Sequence, residues 1–430
     1  MSSHIAEGRV ADPSALRVVV LGRSFYGLHG FGGLERHLYD LVRHHLAEGW
    51  RVTVVTRTPR DAAGVDPARW RVLSDHAACD VRCVDYRTFP LAGRAGTTIL
   101  DRSTAYPWFG RRAGRFAADL VAAGQADIVY GVGASVWGYA TARRAGAAAP
   151  LVFNPQGLEE FGGMDGSYGG HALKSVGYAP LRAVVRDCAA ASDAVIATDQ
   201  AIVPSVLRHL PVGAERVHLI PNGIDVADLD TLADPAAGRA ARAHAGIGDD
   251  ETVLVSVGRL EANKGFGDLA EALAHSALTV GWRWVLVGDG PERRSLDALI
   301  ERLRIGDRVR LVGRADDRTL HAWYQAADLF VHPTRYEGSS LVTLEAMLHR
   351  RPVLATRAGG LPDKVIPGRT GWLTEPSSPR ALATTLQQAI AERDRWPAYG
   401  EAGRALLDEV FDWRVLQRRF RALYHALTAR

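Results

Sequence analysis

The sequence predicts an α/β protein made of two doubly wound, Rossmann-like domains facing each other across a cleft. Three observations carry that reading. At 430 residues the chain exceeds what one ordinary core accommodates. Short apolar, β-branched runs alternate with helix-period segments from end to end, the mark of a parallel sheet covered on both faces. The alternation also restarts after PNGID at residues 221–225, so the pattern occurs twice.

The first series opens with LRVVVL (16–21), followed by a glycine-rich loop and a helix over 34–48. In that helix Leu34, Leu38, Leu41, Val42 and Leu46 recur at helical spacing, and Gly49 stands where a helix C-terminal glycine belongs. RVTVVT (51–56) is the second strand. DIVYGV (127–132), PLVFN (150–154) and DAVIAT (193–198) follow, with helical segments between them. Residues 61–110 show no clear period. Residues 159–175 are rich in Gly and Ser and read as a loop at the carboxyl end of a strand, where α/β proteins commonly bind ligands.

The second series has strands at ETVLVSVG (251–258), RWVLVG (283–288), RVRLVG (308–313), DLFVHP (328–333) and PVLAT (352–356). The hinge between the halves is expected at 221–230. The expected domains are 15–222, 223–395 and a C-terminal helical segment, 396–430. In this last segment Trp413, Leu416, Phe420, Leu423 and Leu427 share one side, and it is expected to pack back towards the N-terminal domain.

Composition narrows the function. Hydrophobic residues are 47% and charged residues 23%, as in an ordinary globular protein, and the net charge is +4 without a basic run, which disfavours a nucleic-acid binder. No apolar stretch is long enough to span a bilayer and no signal core is visible, so a cytoplasmic protein is expected, with peripheral contact to the inner membrane face left open. The three cysteines, Cys79, Cys83 and Cys188, form neither a disulfide framework nor a zinc set and read as reduced thiols. Only Lys174, Lys264 and Lys364 among the 52 basic residues are lysine, which draws attention to each.

Two constellations stand out. In GRLEANKG (258–265) a strand end passes into a helix, and Arg259 and Lys264 project from a loop at the mouth of a parallel sheet. They read either as a pair that neutralises a diphosphate or as a solvated surface pair. In RYEGSSLVTLEAM (335–347) a strand ends near His332 and a Gly/Ser loop opens a helix near Ser339, whose first N–H groups offer an anion site. Glu337 and Glu345 read either as hydrogen-bond acceptors for sugar and ribose hydroxyls or as a helix-start charge and a surface residue. Asp228 and Asp230 form a DxD in the expected hinge and read as surface residues. The glycines at 27, 30, 32 and 33 miss the dinucleotide spacing.

GRLEANKG, LVGDGPERRSL, LVGRADDRTLHAWYQAADLFVHPTRYEGSSLVTLEAM and ATRAGGLPDKVIPGRTGWL, in that order, resemble the C-terminal domain of the family-4 retaining glycosyltransferases of the GT-B fold. The Glu337–Glu345 spacing matches that family's Glu-x7-Glu motif. PNGID resembles its interdomain junction, and GFGGLERH (30–37) its first glycine loop. The resemblance spans about residues 16–420, specific in the second half and mainly a matter of pattern in the first.

The resemblance implies transfer of a sugar from a nucleoside diphosphate to an acceptor, without a metal or other cofactor. It implies that Arg259 and Lys264 bind the diphosphate and that Glu337 holds the donor sugar and Glu345 the ribose. Gly338, Ser339, Ser340 and Leu341 would touch phosphate and sugar with their backbone. Gly288, Asp289, Gly290 and Arg314 would shape the nucleotide pocket, and Gly32 and Gly33 would let the first glycine loop close over the phosphates. The acceptor would be a lipid-linked sugar, a polysaccharide or a small molecule, with Gln156, Gly157 and Glu159 on its side.

The chain departs from the family at one point. Where many relatives carry a histidine before a glycine, NPQGLEEF (154–161) has Gln156, and the nearest histidine is His171 in the following loop. Two alternatives stay open. One is a nucleotide-sugar epimerase or sugar-phosphate synthase on the same fold; the other is a non-catalytic sugar-nucleotide-binding protein.

Overall fold

The computed structural model describes residues 15–30, 32–59, 65–86, 98–162 and 176–429. The chain divides into two compact units. The first holds residues up to Ala197, Ser205–His218 and those from Arg419 onward; the second holds Thr198–Pro204 and Leu219–Arg418.

The first unit contains β1 (Arg17–Leu21), β2 (Arg51–Arg57), β3 (Cys79–Val84), β4 (Ile128–Val132), β5 (Leu151–Asn154), β6 (Ala194–Ala197) and β7 (Val217–Leu219). They form one sheet in the order β3-β2-β1-β4-β5-β6-β7, and the pairings from β3 to β6 are parallel. β4 and β5 are buried along their whole length, as expected for strands covered on both faces. β3 lies at an edge. Its exposed Asp80, Arg82 and Cys83 interrupt the apolar run, which is why Cys79–Val84 does not read as a strand in sequence. The first helix runs Gly33–Ala47, and its Leu34 is exposed, not part of the buried stripe. Towards its end His45 is buried among Trp50, Phe420 and Tyr424, with Nε2 3.3 Å from the Tyr424 hydroxyl.

The second unit contains β8 (Thr252–Val257), β9 (Trp282–Val287), β10 (Val309–Gly313), β11 (Leu329–His332), β12 (Val353–Thr356) and β13 (Gly371–Thr374). Their order is β10-β9-β8-β11-β12-β13, all parallel. Alternation along β8 feeds two cores: Val253, Val255 and Val257 pack on one face and Leu254 on the other. The buried Ser256 is satisfied between them, donating to the Val331 carbonyl (2.7 Å) and accepting from the Trp284 indole (3.1 Å). The expected hinge is partly core, because Ile224, Val226 and Leu229 are buried in the second unit. Asp225 caps the short helix Val226–Asp230, and Asp230 pairs with Arg404 at 2.7 Å. No helix among the described residues is long and apolar enough to cross a membrane.

In both sheets the strand order reverses beside the first strand, between β1 and β4 and between β8 and β11. The connections leave in opposite directions there, so a crevice opens at the carboxyl ends of those strands. Around β8 the loops are held at backbone contact. A Cβ on Gly288 would lie 1.9 Å from the Gly258 carbonyl oxygen. One on Gly265 (φ +66°) would lie 2.0 Å from that of Pro333.

Gly265→Ala is therefore expected to lose at least about 1 kcal/mol, a fall of about 2–4 °C or more in the melting temperature of the second unit. An unchanged melting curve would show that the loop has room to relax.

Candidate active site

The crevice between β8 and β11 gathers most of the residues singled out in the second half. Lys264 ends a short 3-10 turn after β8. Its loop is tied to the one after β11 because the Asn263 carbonyl accepts from the Arg335 N–H (2.7 Å) and the Thr334 hydroxyl (3.0 Å). Arg335 in turn pairs with Asp268 on the following helix. This places the Lys264 ammonium 2.9 Å from Glu337 Oε2, and His332, at the end of β11, has Nε2 2.8 Å from the same oxygen.

The electrostatics of Glu337 follow from that contact. Burial alone would raise its pKa, but the Lys264 ammonium and the His332 hydrogen bond outweigh burial and hold it at about 2. Burial shifts His332 down, with the Glu337 hydrogen bond and charge opposing. It must donate through Nε2 to the carboxylate, which leaves Nδ1 buried without a partner. Both partners converge on Oε2, and Oε1 of Glu337 receives no hydrogen bond from the described residues.

Glu345 shows the same division. It lies in the second turn of the helix Leu341–Leu348, and the buried Tyr324 hydroxyl donates to its Oε2 at 2.8 Å. Tyr324 stacks on His349, whose Nε2 is 2.7 Å from His321 Nδ1, so the carboxylate is fixed from behind by a buried aromatic group. Among the described residues each glutamate of the pair thus has one oxygen anchored and one left over.

The loop at residues 338–341 is built from both sides. Ser340 serves as the N-cap, its hydroxyl 3.4 Å from the Thr343 N–H, so its side chain is committed to the helix. Gly338 offers its carbonyl to the Gly360 N–H (3.2 Å), and a Cβ there would meet nothing within 4 Å. Lys364, which the sequence reading left without a role, is fully buried beneath this loop. Its ammonium donates to Ser339 Oγ and to the Gly360 carbonyl, both at 3.3 Å. Burial lowers its pKa, with Asp199, Asp363 and Glu337 opposing the shift. The scarcity of lysine was the one signal that could have found it; His332 had none beyond its place at a strand end.

Other expected residues sit apart from this cluster. Arg259 is exposed and pairs with Glu261 at 2.6 Å, not with Glu337. Gly288 and Gly290 pack against the backbone of Gly258 and Leu260, so their first role is loop packing. Arg314 is exposed just beyond β10, and the Gly313 carbonyl accepts from the Gly288 N–H at 2.9 Å.

In the first unit Gly32 is the N-cap of the helix that begins at Gly33, and both are exposed. Gln156 follows β5 with φ +59°, its N–H bonded to Asn154 Oδ1 at 3.0 Å. Its side-chain nitrogen is buried without a partner. Gly157 is half-buried, Glu159 pairs with Arg102, and burial pushes the neighbouring Glu160 up to about 7. His171 lies outside the described residues.

Residues 31–228 match the family model Glycosyltransferase Family 4, and residues 239–406 match Glycosyl transferases group 1. The alpha-maltose-1-phosphate synthase of Mycolicibacterium smegmatis is 30% identical over 59% of this chain and 68% of that protein. The D-inositol 3-phosphate glycosyltransferase of Xylanimonas cellulosilytica is 32% identical over 50% of this chain, and the match spans 53% of that relative, about half its length. Among solved structures, a sucrose-phosphate synthase from Thermosynechococcus elongatus superposes with TM-score 0.73 at 25% identity, covering 96% of this chain and 99% of that one. Anabaena HepE, solved in complex with UDP and glucose, superposes with TM-score 0.69 at 23% identity, covering 96% and 100%.

The low pKa of Glu337 sets a pH signature. A carboxyl depressed in the folded state contributes its full stability above the ordinary value of 4.5 and loses it as pH falls through about 2. The stability gap between the wild type and Glu337→Gln should therefore narrow steadily in thermal melts taken from pH 5 downwards. A constant gap would mean that Lys264 and His332 do not stabilise the charge.

Proposed function

Because the chain belongs to the family-4 glycosyltransferases of the GT-B fold, a family of sugar-transferring enzymes, we propose that it moves a sugar from a nucleoside diphosphate donor to an acceptor hydroxyl, retaining the anomeric configuration. The observation that carries this reading is the division of labour within the Glu337/Glu345 pair, one oxygen of each fixed by protein and the other unclaimed. Such an acceptor suits a hydroxyl-bearing ligand. Glu337 Oε1 takes a donor-sugar hydroxyl and Glu345 Oε1 a ribose hydroxyl.

Lys264 carries three N–H donors and uses one on Glu337, so it binds a phosphate oxygen without releasing the carboxylate. Arg259 has only an exposed pair with Glu261 to give up, and such pairs contribute about 0–1 kcal/mol. A diphosphate displaces it readily. Negative charge on the leaving diphosphate grows as the glycosidic bond breaks, so these two cations act mainly on the transition state. The N–H groups from Gly338 to Leu341, held by Lys364, complete the anion site. Gln156 cannot titrate near neutral pH, so its role on the acceptor side is hydrogen bonding alone. The protein works in the cytoplasm and takes no metal in this reading.

A second reading, supported by relatives named as synthases of sugar phosphates, makes the acceptor a phosphorylated sugar. Product analysis with free sugars and with sugar phosphates separates the two.

Lys264→Ala should lower kcat at least about tenfold, the loss of one charge-assisted hydrogen bond of about 1.5–3 kcal/mol, while donor KM rises less. Glu345→Gln should show the opposite balance, because ribose contacts are alike in ground and transition states. An unchanged kcat in Lys264→Ala would remove the leaving-group role from this loop. Turnover should also survive EDTA; a loss restored by Mg²⁺ or Mn²⁺ would overturn the metal-free chemistry.

A further inference from the structure

The buried Lys364 fixes the hydrogen-bonding role of Ser339, the residue above it in the loop after β11. Its ammonium reaches Ser339 Oγ and the Gly360 carbonyl, both at 3.3 Å, and stands 5.2 Å from the centre of the Phe411 ring. The carboxylates of Asp199, Asp363 and Glu337 favour its charged form. Each of these acids answers to other donors. Asp363 accepts the Gln200 N–H at 2.7 Å, Asp199 accepts the Ile202 N–H at 2.9 Å, and Glu337 is held by Lys264 and His332. The hydrogen bonds of the Lys364 ammonium therefore go to the loop itself.

An ammonium carries no lone pair and can only donate. Ser339 Oγ is thus the acceptor of that contact, and its own O–H needs an acceptor elsewhere. Among the described residues it has none. Lys364 occupies the inner side of the loop. Ser339 is half-buried, and a Cβ on the preceding Gly338 would meet nothing within 4 Å, so the remaining direction is the open one. Ser340, next in the chain, is different: its hydroxyl is spent on Thr343 at the helix start.

A hydroxyl that accepts from a cation becomes a better donor, because the charge polarises its O–H bond. The partner it suits best is an anionic oxygen. On the nucleotide reading proposed above, on which this inference rests, Glu337 holds the sugar and Glu345 the ribose. Ser339 stands two residues after the first and six before the second, so the phosphate beside the sugar is the one it faces. We propose that the Ser339 hydroxyl donates to the β-phosphate of the bound nucleotide, and that Lys364 is the positioning residue that turns this hydroxyl outward. A fully buried lysine thereby acts on an anion it does not touch.

The test is calorimetric titration of the full chain with UDP, GDP and ADP, and with the corresponding monophosphates. Ser339→Ala should weaken binding of the diphosphate that the wild type takes by about tenfold or more, the loss of one hydrogen bond to a charged group, and leave the matching monophosphate within about twofold. Lys364→Met should reproduce that pattern, and the double variant should lose no more than Lys364→Met alone, since both act through one contact. Ser339→Ala keeps the question open to measurement even where Lys364→Met does not fold. An unchanged diphosphate affinity in Ser339→Ala, an equal loss for monophosphate and diphosphate, or additive losses in the double variant would each overturn the proposal. A wild type that binds none of the three diphosphates would remove the nucleotide reading itself, and this role of Ser339 with it.

Discussion

A carboxylate with little access to water must have cations or donors against it, and in the second unit this requirement organises the site. Glu337 sits in the loop after β11, and its charge is stable there only because Lys264 reaches across from the loop after β8 and His332 turns its N–H inward. The backbone ties at Asn263 and the missing Cβ of Gly265 are what bring that lysine close enough. Breaking either the loop contact or the ion pair leaves an uncompensated buried charge. Loop packing and site geometry are therefore one constraint.

Most of the strands were legible in the sequence, and the exceptions share a physical cause. Central strands such as DIVYGV and PLVFN are covered on both faces and so read as continuous apolar runs. β3, β7 and β13 escaped because they are short or interrupted strands at or near sheet edges, where one side needs no apolar cover. The stretch around PNGID reads as a linker because of its Pro and Gly, yet Ile224, Val226 and Leu229 are core residues. Three apolar positions are too few to register as a period.

The site divides in the same way. Lys264, Glu337 and Glu345 stood out in the sequence because they stand in motifs with fixed spacing. Lys364, His332 and Tyr324 act through contacts distant in sequence, with Ser339, Glu337 and Glu345 respectively, and no local pattern encodes such contacts. Arg259 shows the reverse case. Its motif assigns it to the same task as Lys264, but its side chain rests on Glu261. In the first unit Gln156 occupies a left-handed backbone conformation unusual for a residue other than glycine, and its amide nitrogen is buried unpaired. Such a conformation costs free energy that the surrounding contacts must offset.

The Arg259–Glu261 contact has a consequence for anion binding at that arginine. An anion arriving at this guanidinium must displace a carboxylate already 2.6 Å away. The net gain is the difference between two ion pairs, not the whole of one. Glu261 therefore behaves as a tethered competitor at high local concentration. It lowers the affinity for an anion that reaches the arginine, by no more than about 0–1 kcal/mol, the contribution of such an exposed pair.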